Sequence, residues 1–228
     1  MPKELRFTPQ FFDFFRELET HNKKEWFDAN KDRYLADVRD PLQAFIAALR
    51  PRLLEISPYL VADPKPTGGS MLRIYRDIRF SKNKTPYKTH AAAFFWHQTG
   101  GKEGPGIYLH LGPGGGYLAV GTWRPIPATR TKVSDAIAGK PDAWRDATLG
   151  KEFRKTFKME GESLAKLPKQ YDPEDPFAED LKRKDFIALA TFSEKQVCAK
   201  DFIDRVDRLS RLAAPYLGFI IRAVGLKW

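Results

Sequence analysis

Between Met71 and His90 the chain carries six basic residues, Arg73, Arg76, Arg79, Lys82, Lys84 and Lys88, against the single acid Asp77, with Tyr75, Phe80 and Tyr87 interleaved. Guanidinium groups are planar forks that grip phosphate or carboxylate through two hydrogen bonds, while lysines act as mobile point charges. The chemistry such a segment suits is anion recognition. In that reading Arg73, Arg76, Arg79 and Lys84 neutralise the anion, Asp77 orients an arginine, and Tyr87 positions a ligand oxygen. Arg124 follows Trp123 at the end of an apolar run, where it either extends the anion surface or stacks on the indole. The competing arrangement is an ion-pair ladder of Arg73, Asp77 and Arg79 on one strand face, which would add little stability.

Charge is unevenly distributed along the 228 residues. The net charge is +10, but Met71 to Lys132 holds ten Lys or Arg against Asp77 and Glu103, a local excess of +8. A protein made basic only for solubility would spread this charge; its concentration in one quarter creates a positive field for an anionic partner. The run R-x-x-R-D-x-R-F, followed by Asn, Lys and then Tyr, is supplied here by Arg73, Arg76, Asp77, Arg79, Phe80, Asn83, Lys84 and Tyr87. In this segment, and over almost its whole length, the chain resembles the bacterial and fungal family grouped as domain of unknown function 2461. The resemblance implies that the arginine segment characterises the family; it implies no activity and no cofactor.

Other reactive residues form no recognisable constellation. His90 and His97 are seven apart, and no H-x-x-x-H, H-E-x-x-H or paired-Cys spacing suggests a metal. His110 could share a strand face with Tyr108 and act as an acid or base near the basic segment, although a hydrogen-bonded structural histidine is the ordinary alternative. The single Cys198 has no nucleophile signature around it and excludes an internal disulfide. Gly112 to Gly116 lacks the Lys-Ser/Thr of a phosphate loop and joins two strand-like runs, so it reads as a turn. No cofactor is named by these patterns, and no catalytic nucleophile.

The elements that must position these side chains follow from periodicity. Thr8-Pro9 opens a helix with Phe11, Phe12, Phe15 and Leu18 on one face, Asn22 and Glu25 read as a capping-box variant for a second, and Asp40-Pro41 starts a third that continues through Pro51. Period two then takes over. Leu72, Ile74, Arg76, Ile78 and Phe80 alternate with Arg73, Tyr75, Asp77 and Arg79, which predicts a strand over 72–80 with Arg76 anomalous in the apolar row and in need of a partner. Ala91 to Trp96 is a second strand, and Gly106 to Leu111 with Tyr117 to Trp123 form a hairpin. Helices return over 127–138 and 141–147, Phe186 to Phe192 is a strand, and Ser193 with Gln196 caps a helical C-terminal third.

This order specifies an α+β fold, a central mainly antiparallel sheet flanked by N- and C-terminal helices, in a single domain over 1–228. No apolar run approaches the ~18 residues of a membrane span, and the start lacks a secretory layout, so the expected setting is cytoplasmic with no membrane partner. The expected partner is an anionic small molecule, phosphorylated or otherwise. The alternatives are a nucleic-acid-binding module whose aromatics stack on bases, and a structural or protein-interaction domain whose arginines fasten its own elements.

Overall fold

The computed structural model describes residues 6–228. Helix α1 (Pro9–Thr20) begins with Pro9 in its first turn and buries Phe11, Phe12, Phe14, Phe15 and Leu18. The Thr8 side chain makes no capping bond, so the proline supplies this start. Helices α2 (Lys24–Ala29) and α3 (Lys31–Arg33) lead through a π-helical segment (Tyr34–Arg39) into α4 (Asp40–Ile56), which contains Pro51. Asp40-Pro41 is therefore not a free helix start: the chain enters α4 already coiled. Nor is Asn22 the cap of α2, because Lys23 stands there and Asn22 is engaged elsewhere.

Among the described residues six strands build one sheet: β1 (Leu60–Val61), β2 (Ala91–His97), β3 (Gly101–Gly112), β4 (Gly115–Thr122), β5 (Lys158–Glu160) and β6 (Phe186–Phe192). Their order is β1-β2-β3-β4-β6-β5, with every neighbouring pair antiparallel. The β3–β4 hairpin turns at Pro113-Gly114, where Gly114 takes the positive φ of 91° that side chains other than glycine resist. Helices α5 (Pro127–Gly139), α6 (Pro141–Thr148), α7 (Lys151–Thr156), α8 (Ala178–Leu181) and α9 (Glu194–Val197) precede the long C-terminal α10 (Phe202–Ala223). The Ser193/Gln196 capping box forms at α9 as its spacing predicts. The fold is thus α+β with an antiparallel sheet between helices at both ends of the chain.

Register divides the sheet into two unlike faces. Ala91, Ala93, Phe95, Ile107, Leu109, Leu111, Leu118, Val120, Ala188 and Ala190 are buried, and α10 packs across β3 and β4 on that side. The alternate residues line the other face in cross-strand rows. One row runs Ala92–His110–Tyr117–Thr191, and the next Phe94–Tyr108–Ala119–Leu189–Lys158. Of these only Ala92 is fully buried, which marks an open face of the kind one-sided antiparallel sheets present.

The strand expected over 72–80 does not form. Met71 bridges Ala93, and the Leu72 N–H reaches the Ala92 carbonyl at 2.8 Å, but the chain then leaves the sheet. Residues 74–76 pair sparsely with 86–88 instead, through a Tyr75–Tyr87 bridge, Arg76 N–H to Pro86 O at 2.9 Å and Lys88 N–H to Ile74 O at 2.8 Å. Pro86 offers no N–H to extend a ladder, and the Asp77 and Asn83 side chains accept from Arg79 N–H (3.3 Å) and Thr85 N–H (2.9 Å). These local bonds compete with strand pairing. What remains is an irregular arm whose alternation partly survives: Ile74 is buried while Arg73, Tyr75, Asp77 and Arg79 are exposed. Phe80, expected in the apolar row, is 96% exposed at the tip.

Candidate functional site

The arm is fastened at its root. The Asn22 side chain forms a two-bond clasp with the Tyr87 backbone, donating to its carbonyl at 2.9 Å and accepting from its N–H at 3.0 Å. The Tyr87 ring, buried, stacks on Phe27 with centroids 4.2 Å apart. Burial raises the Tyr87 phenol above its ordinary pKa, with the Tyr75 phenol next in effect. This residue therefore anchors the arm. Arg76 braces it from within: its guanidinium donates to Thr85 O at 3.1 Å, to the Thr85 hydroxyl, and to the Ser81 hydroxyl at 3.4 Å. The compensation expected for a cation in that row is present, as oxygens of the arm itself.

At the tip, Arg79 meets Asp77 at 2.7 Å, and with the Arg79 amide and the charge of Arg73 this lowers the Asp77 pKa. Both side chains are well exposed, so the pair adds little to stability. Lys84 donates to Ile78 O at 2.9 Å. Arg124 is not part of this group. Its N–H donates to the buried Asp185 carboxylate at 2.6 Å, its φ is +48°, and its guanidinium lies 4.6 Å from the Trp123 ring centroid. Register places it beyond Gly121, which pairs with Gly106 and so stands level with Trp96, whereas the arm leaves the sheet at the Ala91–Ala92 end of β2. Arg73, Arg76, Asp77, Arg79, Lys84 and Tyr87 thus all lie on the arm, divided between its root and its tip, and Arg124 stands at the opposite end of the sheet.

Where the arm returns to the sheet, two residues outside the expected set complete the arrangement. Lys88 donates to the Arg73 carbonyl at 2.8 Å, and burial together with the neighbouring Arg73 charge lowers its pKa. No acid contributes to its environment among the described residues. Two positions on, the His90 ring packs on His110 with centroids 4.1 Å apart, and His110 stacks on Tyr117 at 4.6 Å and 8°. Burial first, then His110 and Lys88, push the His90 pKa down to about 4; burial lowers His110 also. Both rings are therefore neutral near pH 7. His110 Nδ1 is shielded from solvent without a hydrogen-bond partner, an unusual state for a buried polar atom. Tyr108 and Tyr117 hydrogen-bond to each other, and burial raises both phenols.

Lys88 and His90 become part of the site only through tertiary contacts. Both precede β2, and the His90 ring reaches the open face by packing on His110. The expectation that His110 and Tyr108 share a face holds. Chemically, the root combines two neighbouring cations, Lys88 and Arg73, neutral imidazoles that can accept a proton or hydrogen bond, and an aromatic shelf. It holds no hydroxyl or thiol paired with a base, and among the described residues no cluster of three or more His, Cys, Asp or Glu converges as metal ligands.

Among protein families, one described as "Conserved hypothetical protein (DUF2461)" matches residues 10–219, a stretch that includes the arm, the open sheet face and most of α10. No curated protein matches the chain. No helix among the described residues is long and apolar enough to cross a membrane.

Proposed function

The chain belongs to this family, DUF2461, and we propose that it binds a phosphate-bearing or other anionic ligand at the root of the arm, held by Arg73 and Lys88. The observation that carries this reading is Lys88: a half-buried ammonium beside a second cation, with the Arg73 carbonyl as its hydrogen-bond acceptor. Holding two like charges together in a partly desolvated place is unfavourable unless an anion arrives to meet them. Arg76 and Tyr87 hold the arm in shape, Asp77 keeps Arg79 at the tip, and His90 offers a neutral nitrogen to a protonated ligand oxygen. The contribution of such a site to any reaction would be electrostatic.

Thermal shift against inorganic phosphate and pyrophosphate, with sodium chloride at matched ionic strength as the control, tests the proposal. At one hundred times Kd a ligand stabilises by about 2.7 kcal/mol, or about 5–10 °C for a domain of this size. Arg73→Gln/Lys88→Gln should lose the shift while melting cooperatively, and Lys132→Gln should keep it. No shift in the wild-type protein, or an undiminished shift in the double variant, rejects the assignment.

A further inference from the structure

Resting on that reading, we infer that the anionic ligand is single-stranded nucleic acid, its phosphates held at the arm and sheet edge and its bases stacked on the open face of the sheet. The open face has the composition this requires. Phe94 and Tyr108 are cross-strand neighbours in one row, His110 and Tyr117 in the next, and none is fully buried. His110 and Tyr117 are already parallel to within 8°. On its other side Tyr117 faces Thr191, short and exposed, which leaves that flank of the ring without aromatic cover. A base laid there continues the stack His90–His110–Tyr117. Base–aromatic stacking tolerates any sequence, because every base has a π-face.

Charge complements this shelf at both edges. Lys88 and Arg73 lie where the arm meets β2, and Lys158 projects from β5 in the row that ends Ala119–Leu189. Lys102 sits 4.6 Å from the Trp96 ring centroid on the same face, anchored to Gly68 O and Gly69 O at 2.7 and 2.6 Å. Glu160, level with Ile187, is the acid on the β5 edge. From β2 to β5 there are four strand spacings, or about 19 Å at the usual inter-strand distance. A mononucleotide cannot reach cations at both edges; a strand laid across β2, β3, β4, β6 and β5 can. The arm's tip adds Arg79, Lys82 and Lys84 around the solvent-exposed Phe80, a further place for a phosphate and a base. An open sheet face also suits a strand better than a small molecule, whose sites are typically concave.

The test is fluorescence anisotropy with labelled dT12 and U12 at 50 and 200 mM salt, with inorganic phosphate, ribose 5-phosphate and UMP as competitors. We expect either oligomer to bind, with log K falling against log salt at a slope of about −2 for three neutralised phosphates and about 0.7 shallower in Lys88→Gln. Tyr117→Ala should weaken binding about tenfold, and Tyr117→Phe should restore it. Thr191→Glu places a negative charge beside the ring at an exposed position, so it keeps the fold and should also weaken binding. If phosphate, ribose 5-phosphate or UMP binds as tightly as the oligomers, or if Tyr117→Ala and Thr191→Glu bind like the wild type, the nucleic-acid inference falls while the anion site stands. If neither the phosphates nor the oligomers bind, both are wrong.

Discussion

The two faces of the sheet are made from the same strands, residue by residue in alternation, yet they treat the same side chain in opposite ways. On the helix-covered face His97 is buried with both nitrogens engaged: Nδ1 accepts from Thr99 N–H and Gly100 N–H at 3.2 and 3.3 Å, and Nε2 meets Lys227 O at 2.8 Å. On the open face His110 is wedged between His90 and Tyr117, with Nδ1 lacking any partner. One histidine closes a structure by tying β2 to the C-terminal segment. The other carries an unmet polar demand beside His90, whose own surroundings include Lys88. The difference teaches that residue type says little about role here; what a strand's two faces pack against decides it.

If the covered face holds the fold together and the open face does not, core truncation should have the largest effect. Phe95, fully buried on the covered face, should cost about 3–5 kcal/mol as Phe95→Ala, read by chemical denaturation. A cost no larger than that of Tyr117→Ala would erase the contrast between the faces.

A smaller effect is expected at the join between helix and arm. Asn22→Ala strips both hydrogen bonds from the part-buried Tyr87 backbone and should cost about 1–2 kcal/mol. Hydrogen exchange should then quicken at Tyr87 and Lys88 and stay unchanged in β3. Uniform quickening across the sheet would mean that the arm is no separate unit.

The smallest effect is on pH dependence. His90 has a folded-state pKa of about 4 against about 6.5 when unfolded, so between those values the unfolded chain binds more protons. Stability therefore rises with pH from about 4 to about 6.5 and gains nothing further from this group above that window. In His90→Gln the fall in Tm on acidification through this window should be shallower than in the wild type. Parallel acid profiles for the two proteins would show that His90 titrates normally.

Much of the fold was legible in residue order because its signals are local. Short apolar runs placed β2, β4 and β6, Pro9 marked the start of α1, and the Ser193–Gln196 spacing marked a capping box that forms. The short edge strands β1 and β5 were not legible: two or three residues carry no period, and they are strands only because β2 and β6 offer them edges. For the same reason the period-two pattern of 72–80 misled. Alternation reports an extended chain with one side buried, and that is equally true of an arm held by Tyr87 and Asn22 as of a strand in a ladder.

The candidate site divides along the same line. Residue order alone determined that positive charge is concentrated between Met71 and Lys132, and that arginines, an aspartate and tyrosines lie within one short segment. Only the tertiary structure decided which cations stand together. It placed Arg124 at the far end of the sheet, turned Arg76 inward onto Thr85, set Lys88 against Arg73, and brought His90 up to His110, which stacks on Tyr117. Charge density and chain direction are properties of neighbours in sequence. The stacking of His110 on Tyr117 depends on strand register, which is set by contacts between residues on different strands.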